Sequence, residues 1–481
     1  MTLHRNLIGV ATVSLSMLLG LHMSCSVVID VDANCNQAAC GAYTCDEDNV
    51  ACLDTCQLAS ECTNGYECAG GRCTRVSCVP VMQPRVLTLP TTIDELSASF
   101  AVRAAPDLNQ LFVMVSNRDG LGFRRFFESG ERVADPPADA ILVSLVEGNS
   151  SRREFFPTVD FLSETESAGD ASRARFQYAY SNVADLRVSL ERGDLVVGSV
   201  VGPVDAQPPS ATTLVEGTSS TDIIEQVRFA STQNATLVSY VRPSNSSSVR
   251  AHISTFDRQT IVTDPPVNLS EDGESGGATT AFSASGLFGV VWAGEIGGQR
   301  RIRLALLNEA GEVLGATNLL SNQNAFSVDV LRLESATISG GVAIFWLLSS
   351  DTDRQLWATF LTDADIESLR LGGPVASQPR QLEVSVGSGI IDIRTFAKTD
   401  EYGVAVAVNS GAEQAIWLYR YDLAGTRVLR PVELATSRLG VSPQYSLTNN
   451  LQGYGLVWRE DGPVDAPDLA YLQRFICEGA D

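Results

Sequence analysis

Lysine is almost absent from this 481-residue chain: Lys398 stands alone beside 33 arginines, and 57 acidic residues leave a formal net charge of −23. No basic stretch occurs, which excludes the electrostatic footprint of nucleic-acid binding or of charge-driven attachment to an anionic membrane face. Histidine is as scarce. Of three, His4 and His22 fall in a leader, so only His252 is left to the mature chain, and most triad and zinc chemistry goes with the other two. No P-loop, G-x-G-x-x-G or C-x-x-C motif is present, and none of the chemistry those motifs carry is expected. No segment reaches 18 consecutive apolar residues, the length at which a membrane-spanning helix is read. Glycine (39) and proline (19) occur in ordinary proportion beside 44% apolar residues, which excludes collagen-like and wholly disordered chains.

What is present begins with a leader. His4 and Arg5 precede a 15-residue apolar run over 7–21, the charged and apolar regions of a secretory signal. As a helix that run rises about 22 Å, short of the roughly 30 Å of bilayer hydrocarbon. His22-Met23-Ser24-Cys25-Ser26 follows and resembles the bacterial lipobox, in which cleavage exposes a cysteine that is then acylated. The resemblance implies a signal peptide over 1–24, lipidation of Cys25 and a tether over 25–34. Ser26 in place of aspartate implies outer-membrane or cell-surface display. The alternative is ordinary secretion or a periplasmic location, with cleavage after Ala33.

Ten of the eleven cysteines lie between positions 25 and 78. After Cys25 they are Cys35, Cys40, Cys45, Cys52, Cys56, Cys62, Cys68, Cys73 and Cys78, and Cys477 stands alone near the end. Short irregular spacings in an exported chain predict a disulfide-rich module over 35–80. Zinc is disfavoured, because only Cys52-x₃-Cys56 approaches metal-ligand spacing and no mature histidine is near. Nine cysteines cannot all pair among themselves, so one must reach Cys477 if all are oxidised. Cys78, nearest the following domain, is the expected partner, the alternative being a free or intermolecular Cys477. The run over 52–73, CLDTCQLASECTNGYECAGGRC, resembles the EGF-like or Dickkopf-like modules that precede larger domains in surface lipoproteins of myxobacteria and their relatives.

Beyond position 80 short β-type runs alternate with Gly, Asn, Asp, Ser and Pro clusters. Equivalent apolar or aromatic anchors recur at Met114, Tyr180, Tyr240, Trp292, Trp346, Ala407 and Trp458, 51 to 66 residues apart. All but Met114 are followed by a second alternating strand, over 186–190, 249–253, 302–307, 356–360, 416–421 and 469–472. A period near 50 to 60 is that of four-stranded propeller blades with long loops. The fold class expected is therefore all-β, a β-propeller of about seven blades over 85–477. The alternative is a β-sandwich over 85–215 followed by a five-bladed propeller. One short helix is expected over 362–371, capped by Thr362.

Gly273-Glu274-Ser275-Gly276-Gly277 looks like the serine-protease GDSGG motif, but its only candidate base, His252, lies 23 residues upstream on a strand. The segment reads as an acidic loop between blades, and no catalytic residue is assigned. The acidic pairs Asp46/Asp48, Asp351/Asp353 and Asp363/Asp365 do not extend into a calcium-loop pattern and read as solvated turns. Lys398 reads as a solvated residue flanking a strand. Tyr240, Trp292, Trp346 and Trp458 read as core between blades rather than as a glycan-binding face. No metal or cofactor is expected. The composite expectation is an extracytoplasmic, lipid-anchored binding or scaffold protein without catalysis. Its partners would be the membrane, through the anchor, and a protein or glycan ligand, with no nucleic acid. Two alternatives stand beside it: a propeller-type carbohydrate-active hydrolase or lyase, which needs carboxylates converging at the ring axis, and a β-sandwich adhesin.

Overall fold

The computed structural model describes strands and turns between residues 45 and 477, without interruption over 262–321 and 354–382. The leader, Cys25, the tether, Cys35, Cys40, Cys62 and the run over 186–190 lie outside the described residues. The chain divides into two units, 1–77 with 479–481, and 78–478.

In the first unit β1 (Cys45–Asp46) pairs with β2 (Ala51–Cys52), and β3 (Tyr66–Ala69) with β4 (Arg72–Arg75). Gly71, at φ 79°, gives the second hairpin a left-handed turn that a side chain would strain. Its carbonyl accepts the amide of Cys56 at 3.2 Å, and Cys56 is disulfide-bonded to Cys68 with Cα atoms 5.5 Å apart.

The second unit opens with β5 (Cys78–Pro80) and β6 (Arg85–Val86). Seven sheets follow among its described residues. Blade one holds β7 (Ser99–Ala105), β8 (Gln110–Asn117), β9 (Gly120–Phe127) and β10 (Asp139–Ser144); blade two holds β11 (Arg152–Leu162), β12 (Arg175–Ala184), β13 (Gly193–Val201) and β14 (Ala211–Glu216). Blade three is β15 (Glu225–Ser231), β16 (Ala235–Arg242), β17 (Ser248–Thr255) and β18 (Val267–Asn268); blade four is β19 (Ser275–Ala284), β20 (Leu287–Ile296), β21 (Gln299–Leu307) and β22 (Val313–Ser321). In blade five β23 (Asp329–Ile338), β24 (Gly341–Ser349) and β25 (Arg354–Thr362) lead through helix α1 (Asp363–Arg370) to β26 (Arg380–Gln381). Blade six comprises β27 (Ile390–Lys398), β28 (Glu401–Ser410), β29 (Glu413–Tyr421) and β30 (Val432–Ser437). Blade seven has β31 (Tyr445–Asn450), β32 (Gly453–Glu460) and β33 (Leu469–Cys477), and β5 supplies its fourth strand while β6 also pairs with β33.

The first strands of the blades adjoin in order, β7 to β11, β15, β19, β23, β27 and β31, and β31 adjoins β7 again. The ring is closed, so this unit is a seven-bladed propeller. No sandwich precedes it, because residues 99–216 form two further blades. The module boundary falls before Cys78 rather than after Pro80.

All seven anchors lie on the second strand of their blade, and five of the six alternating runs read as second strands fall on third ones, while in blade two the third strand is β13, after the run over 186–190. Second strands are apolar on both faces because each is wedged between two neighbours. On β24, Val342, Ile344, Trp346 and Leu348 pack toward blade four, and Ala343, Phe345 and Leu347 toward blade six. β20 divides the same way: Phe288, Val290 and Trp292 face blade three, while Val291 and Ala293 face blade five. Each large side chain so buried contributes about 1.5–3 kcal/mol, and the core is a set of wedges between blades. Blades four and six share a further device. Phe282 lies opposite Gly289 and Phe396 opposite Gly403, and a Cβ on either glycine would land inside the phenylalanine ring.

Candidate functional site

Five first strands carry a register shift near their start: β11 at Phe155/Thr158, β15 at Glu225/Arg228, β19 at Gly276/Thr279, β23 at Val330/Arg332 and β27 at Ile390/Asp392. Bulges re-aim the side chains beside them and recur next to functional sites. In blades three, five and six the residue after the shift is charged, and these residues meet. Arg228 Nη2 lies 4.0 Å from Glu334 Oε1. Blades three and five are not neighbours in the ring, so this pair meets on its inner side.

Arg332 Nε donates to Glu334 Oε1 at 2.6 Å and lies 3.9 Å from Asp392 Oδ1. The two carboxylates are therefore no farther apart than those two distances laid end to end. Arg394 pairs with Asp392 at 2.5 Å and stacks 5.2 Å over the ring of Tyr445, the first residue of β31. Tyr445 donates its hydroxyl to the Ala405 carbonyl at 3.1 Å. The five charged side chains keep between 13% and 22% of their surface exposed. Hydroxyls tie the neighbouring first strands: Thr280 Oγ1 and Ser335 Oγ lie 2.9 Å apart, Ser335 donates to the Ala281 carbonyl at 3.0 Å, and Thr395 donates to the Ser335 carbonyl at 3.0 Å.

Among the described residues three guanidiniums face two carboxylates, one positive charge in excess. It shows at Arg228. Burial, then repulsion from Arg332, brings its pKa down to about 10, and among the described residues its Nη2 has no hydrogen-bond partner. Burial also opposes the charge on Arg332, but Glu334 and Asp392 outweigh it and leave the group more basic than usual. Burial likewise opposes the Glu334 carboxylate, yet Arg332, Arg228 and Arg394 together hold it below the ordinary range. Burial, then the charge of Asp392, pushes the Tyr445 phenol well above its usual value, which keeps it a neutral donor. A buried cation lacking a full partner is a receptor for an anion.

The residues singled out in the sequence lie elsewhere. Glu274 is 2% exposed. It accepts Trp292 Nε1 at 3.1 Å, Arg303 Nη1 at 2.8 Å and the Glu271 amide at 2.8 Å, while Ser275 opens β19. The supposed acidic loop is thus anchored at Glu274 and then becomes a strand. His252 sits on β17, 3% exposed, with Nδ1 2.9 Å from the Thr263 carbonyl; burial lowers its pKa. Lys398 ends β27 with Nζ 5.8 Å from the Tyr454 ring, inside structure rather than in a flanking loop. Asp365 is not a solvated turn residue either, being 5% exposed and bonded to Thr362, Ala376 and Ser377. Tyr240, Trp292, Trp346 and Trp458 are 0–4% exposed, hence core.

Among the cysteines, Cys45 lies opposite Cys52 in β1 and β2, Cys73 is disulfide-bonded, and Cys78 lies opposite Cys477. The channel cluster was not anticipated. Its signal was a charge on alternate residues of an otherwise apolar first strand, Arg332-Leu333-Glu334 and Asp392-Ile393-Arg394, with Arg228 in the corresponding place.

No protein-family model matches the chain, and no curated protein matches it by sequence. Solved structures do share its fold. A polysaccharide lyase of family PL25, an ulvan lyase bound to -[GlcA(1-4)Rha3S]-, is 8% identical with a TM-score of 0.44, over 84% of this chain and 98% of its own. The hemagglutinin-neuraminidase ectodomain of parainfluenza virus 5 is 10% identical with a TM-score of 0.37, over 68% and 82%. A GH43 endo-arabinanase from Bacillus licheniformis is 12% identical with a TM-score of 0.30, over 53% and 94%. These neighbours are carbohydrate-active enzymes, a finding that runs against the expectation of a non-catalytic binding scaffold. At such identities and scores the likeness is one of fold.

Proposed function

We propose that the propeller is a polysaccharide lyase acting on a carboxylate-bearing glycan at the charged cluster inside its ring. The observation that carries this reading is the convergence of Arg228, Arg332 and Arg394 with Glu334 and Asp392 from three blades. Arg228, whose Nη2 has no hydrogen-bond partner among the described residues, receives the uronate carboxylate. Neutralising that carboxylate acidifies the adjacent C–H, and the guanidiniums stabilise the charge that develops as it breaks. Glu334 takes the proton. Its basicity rises on binding, because a substrate carboxylate on Arg228 adds negative charge beside it. The C–H electron pair becomes the new double bond; the glycosidic C–O bond breaks with its pair on oxygen, which takes a proton from water.

Hydrolysis by paired carboxyl groups needs one of them protonated. Glu334, held ionised by three arginines, suits elimination instead. The test is incubation with polyuronates and neutral glycans, followed by ultraviolet absorbance and mass spectrometry of the products. Unsaturated oligosaccharides from the polyuronate are expected. Release of saturated fragments, or no turnover of any acidic glycan, would sink the lyase reading.

The leader and the lipobox resemblance support display of this enzyme at the outer membrane or cell surface through acylated Cys25. Mass spectrometry of the mature N-terminus is expected to find a diacylglyceryl cysteine at position 25; an unmodified start at Asn34 would refute the anchor.

A further inference from the structure

We infer that Cys78 and Cys477 form a disulfide that fastens the ring at its point of closure. The two residues are cross-strand partners in the ladder joining β5 to β33, the last of three consecutive pairs: Phe475 with Pro80, Ile476 with Val79, and Cys477 with Cys78. Residues facing each other in an antiparallel ladder alternate between hydrogen-bonded pairs and closer, non-hydrogen-bonded ones. Pro80 has no amide hydrogen to exchange, so its pair with Phe475 is of the non-hydrogen-bonded kind. Alternation makes Val79 and Ile476 the hydrogen-bonded pair and returns Cys78 and Cys477 to the non-hydrogen-bonded kind. There Cα atoms approach to about 4.5 Å, at the near end of the range that a disulfide spans.

Cysteine parity supports the same pairing. Position 78 belongs to the propeller and not to the preceding module. With Cys78 joined to Cys477, eight cysteines from Cys35 to Cys73 remain, an even set, in which Cys56 is already bonded to Cys68 and Cys73 is also oxidised. The bond ties the first strand of the second unit to its last, so nearly the whole propeller lies within the loop it closes. This inference is independent of the glycan chemistry, since it concerns only the ring's seam.

The full chain, exported to an oxidising compartment and digested with trypsin after alkylation without reduction, tests it. Cleavage after Arg75, Arg85 and Arg474 isolates 76–85 and 475–481, each with a single cysteine. The two peptides are expected as one linked species. The Cys56–Cys68 bond in the same sample reports that oxidation took place. Separate alkylated peptides in an oxidised sample, or either peptide linked to a module cysteine, would overturn the inference. The double variant C78S/C477S is expected to melt roughly 3–8 °C lower than the wild type, and an unchanged melting temperature would count equally against it.

Discussion

At the residue scale the same chemical pair serves two ends. Arg420 and Glu401 are 2% and 5% exposed at the side chain, with Nε donating to both carboxylate oxygens at 2.9 Å and Tyr454 donating to Oε1 at 2.8 Å. Each charge is matched, and the group clasps blade six to blade seven. Arg228 is only part-buried, and among the described residues its nearest carboxylate stands at 4.0 Å and is already engaged by Arg332. Truncation should separate the two roles. Arg420→Leu strands the buried Glu401 and is expected to cost about 3–5 kcal/mol in denaturant unfolding. Arg228→Ala removes an under-compensated cation and is expected to leave the unfolding midpoint near that of the wild type while lowering kcat/KM on polyuronate by roughly 100-fold or more. Equal stability losses in both variants would make Arg228 structural. The aromatic anchors were legible because Trp292 and Trp346 repeat within apolar strands. The cluster was not, because Arg228 and Glu334 lie two blades apart and only ring closure brings them together.

At the element scale helix α1 was legible almost to the residue, since Thr362 with Asp365 three places on forms a capping box. Its reach was not. Asp365 also accepts the Ala376 and Ser377 amides at 2.8 and 3.3 Å and the Ser377 hydroxyl at 2.7 Å, so one carboxylate fixes both the helix start and the return toward β26. Burial alone would raise its pKa, but the Thr362, Ser377 and Ala376 hydrogen bonds outweigh it and hold the value at about 2, against 3.8 for an ordinary aspartate. A folded value below the unfolded one means stabilisation that is complete above about pH 4 and fades as the pH falls toward 2. Asp365→Asn is expected to lose about 1–2 kcal/mol at neutral pH. Its unfolding midpoint should also vary less than the wild type's between pH 4 and 2, as followed by circular dichroism. The bulges on the first strands were illegible for a physical reason: an inserted residue shifts register without changing which residue types a strand prefers.

For the whole molecule, the period of 51 to 66 residues carried the blade number because each blade buries both faces against identical neighbours, so equivalent strands need equivalent composition. Net charge was equally plain and now acquires a consequence. A chain of −23 repels a polyuronate at long range, while the described cluster inside the ring sets three guanidiniums against two carboxylates. Mobile ions act unequally on these two terms. The Debye length falls from about 30 Å at 0.01 M salt to about 10 Å at 0.1 M, which screens repulsion from the exposed carboxylates during approach. The contact at part-buried Arg228 is screened much less. Turnover of a polyuronate is therefore expected to rise severalfold in kcat/KM as salt goes from about 0.01 to 0.1 M. An uncharged oligosaccharide should show no such rise in binding. A monotonic fall across that range would mean instead that exposed arginines outside the ring guide the substrate, and would remove the channel from its path of recognition.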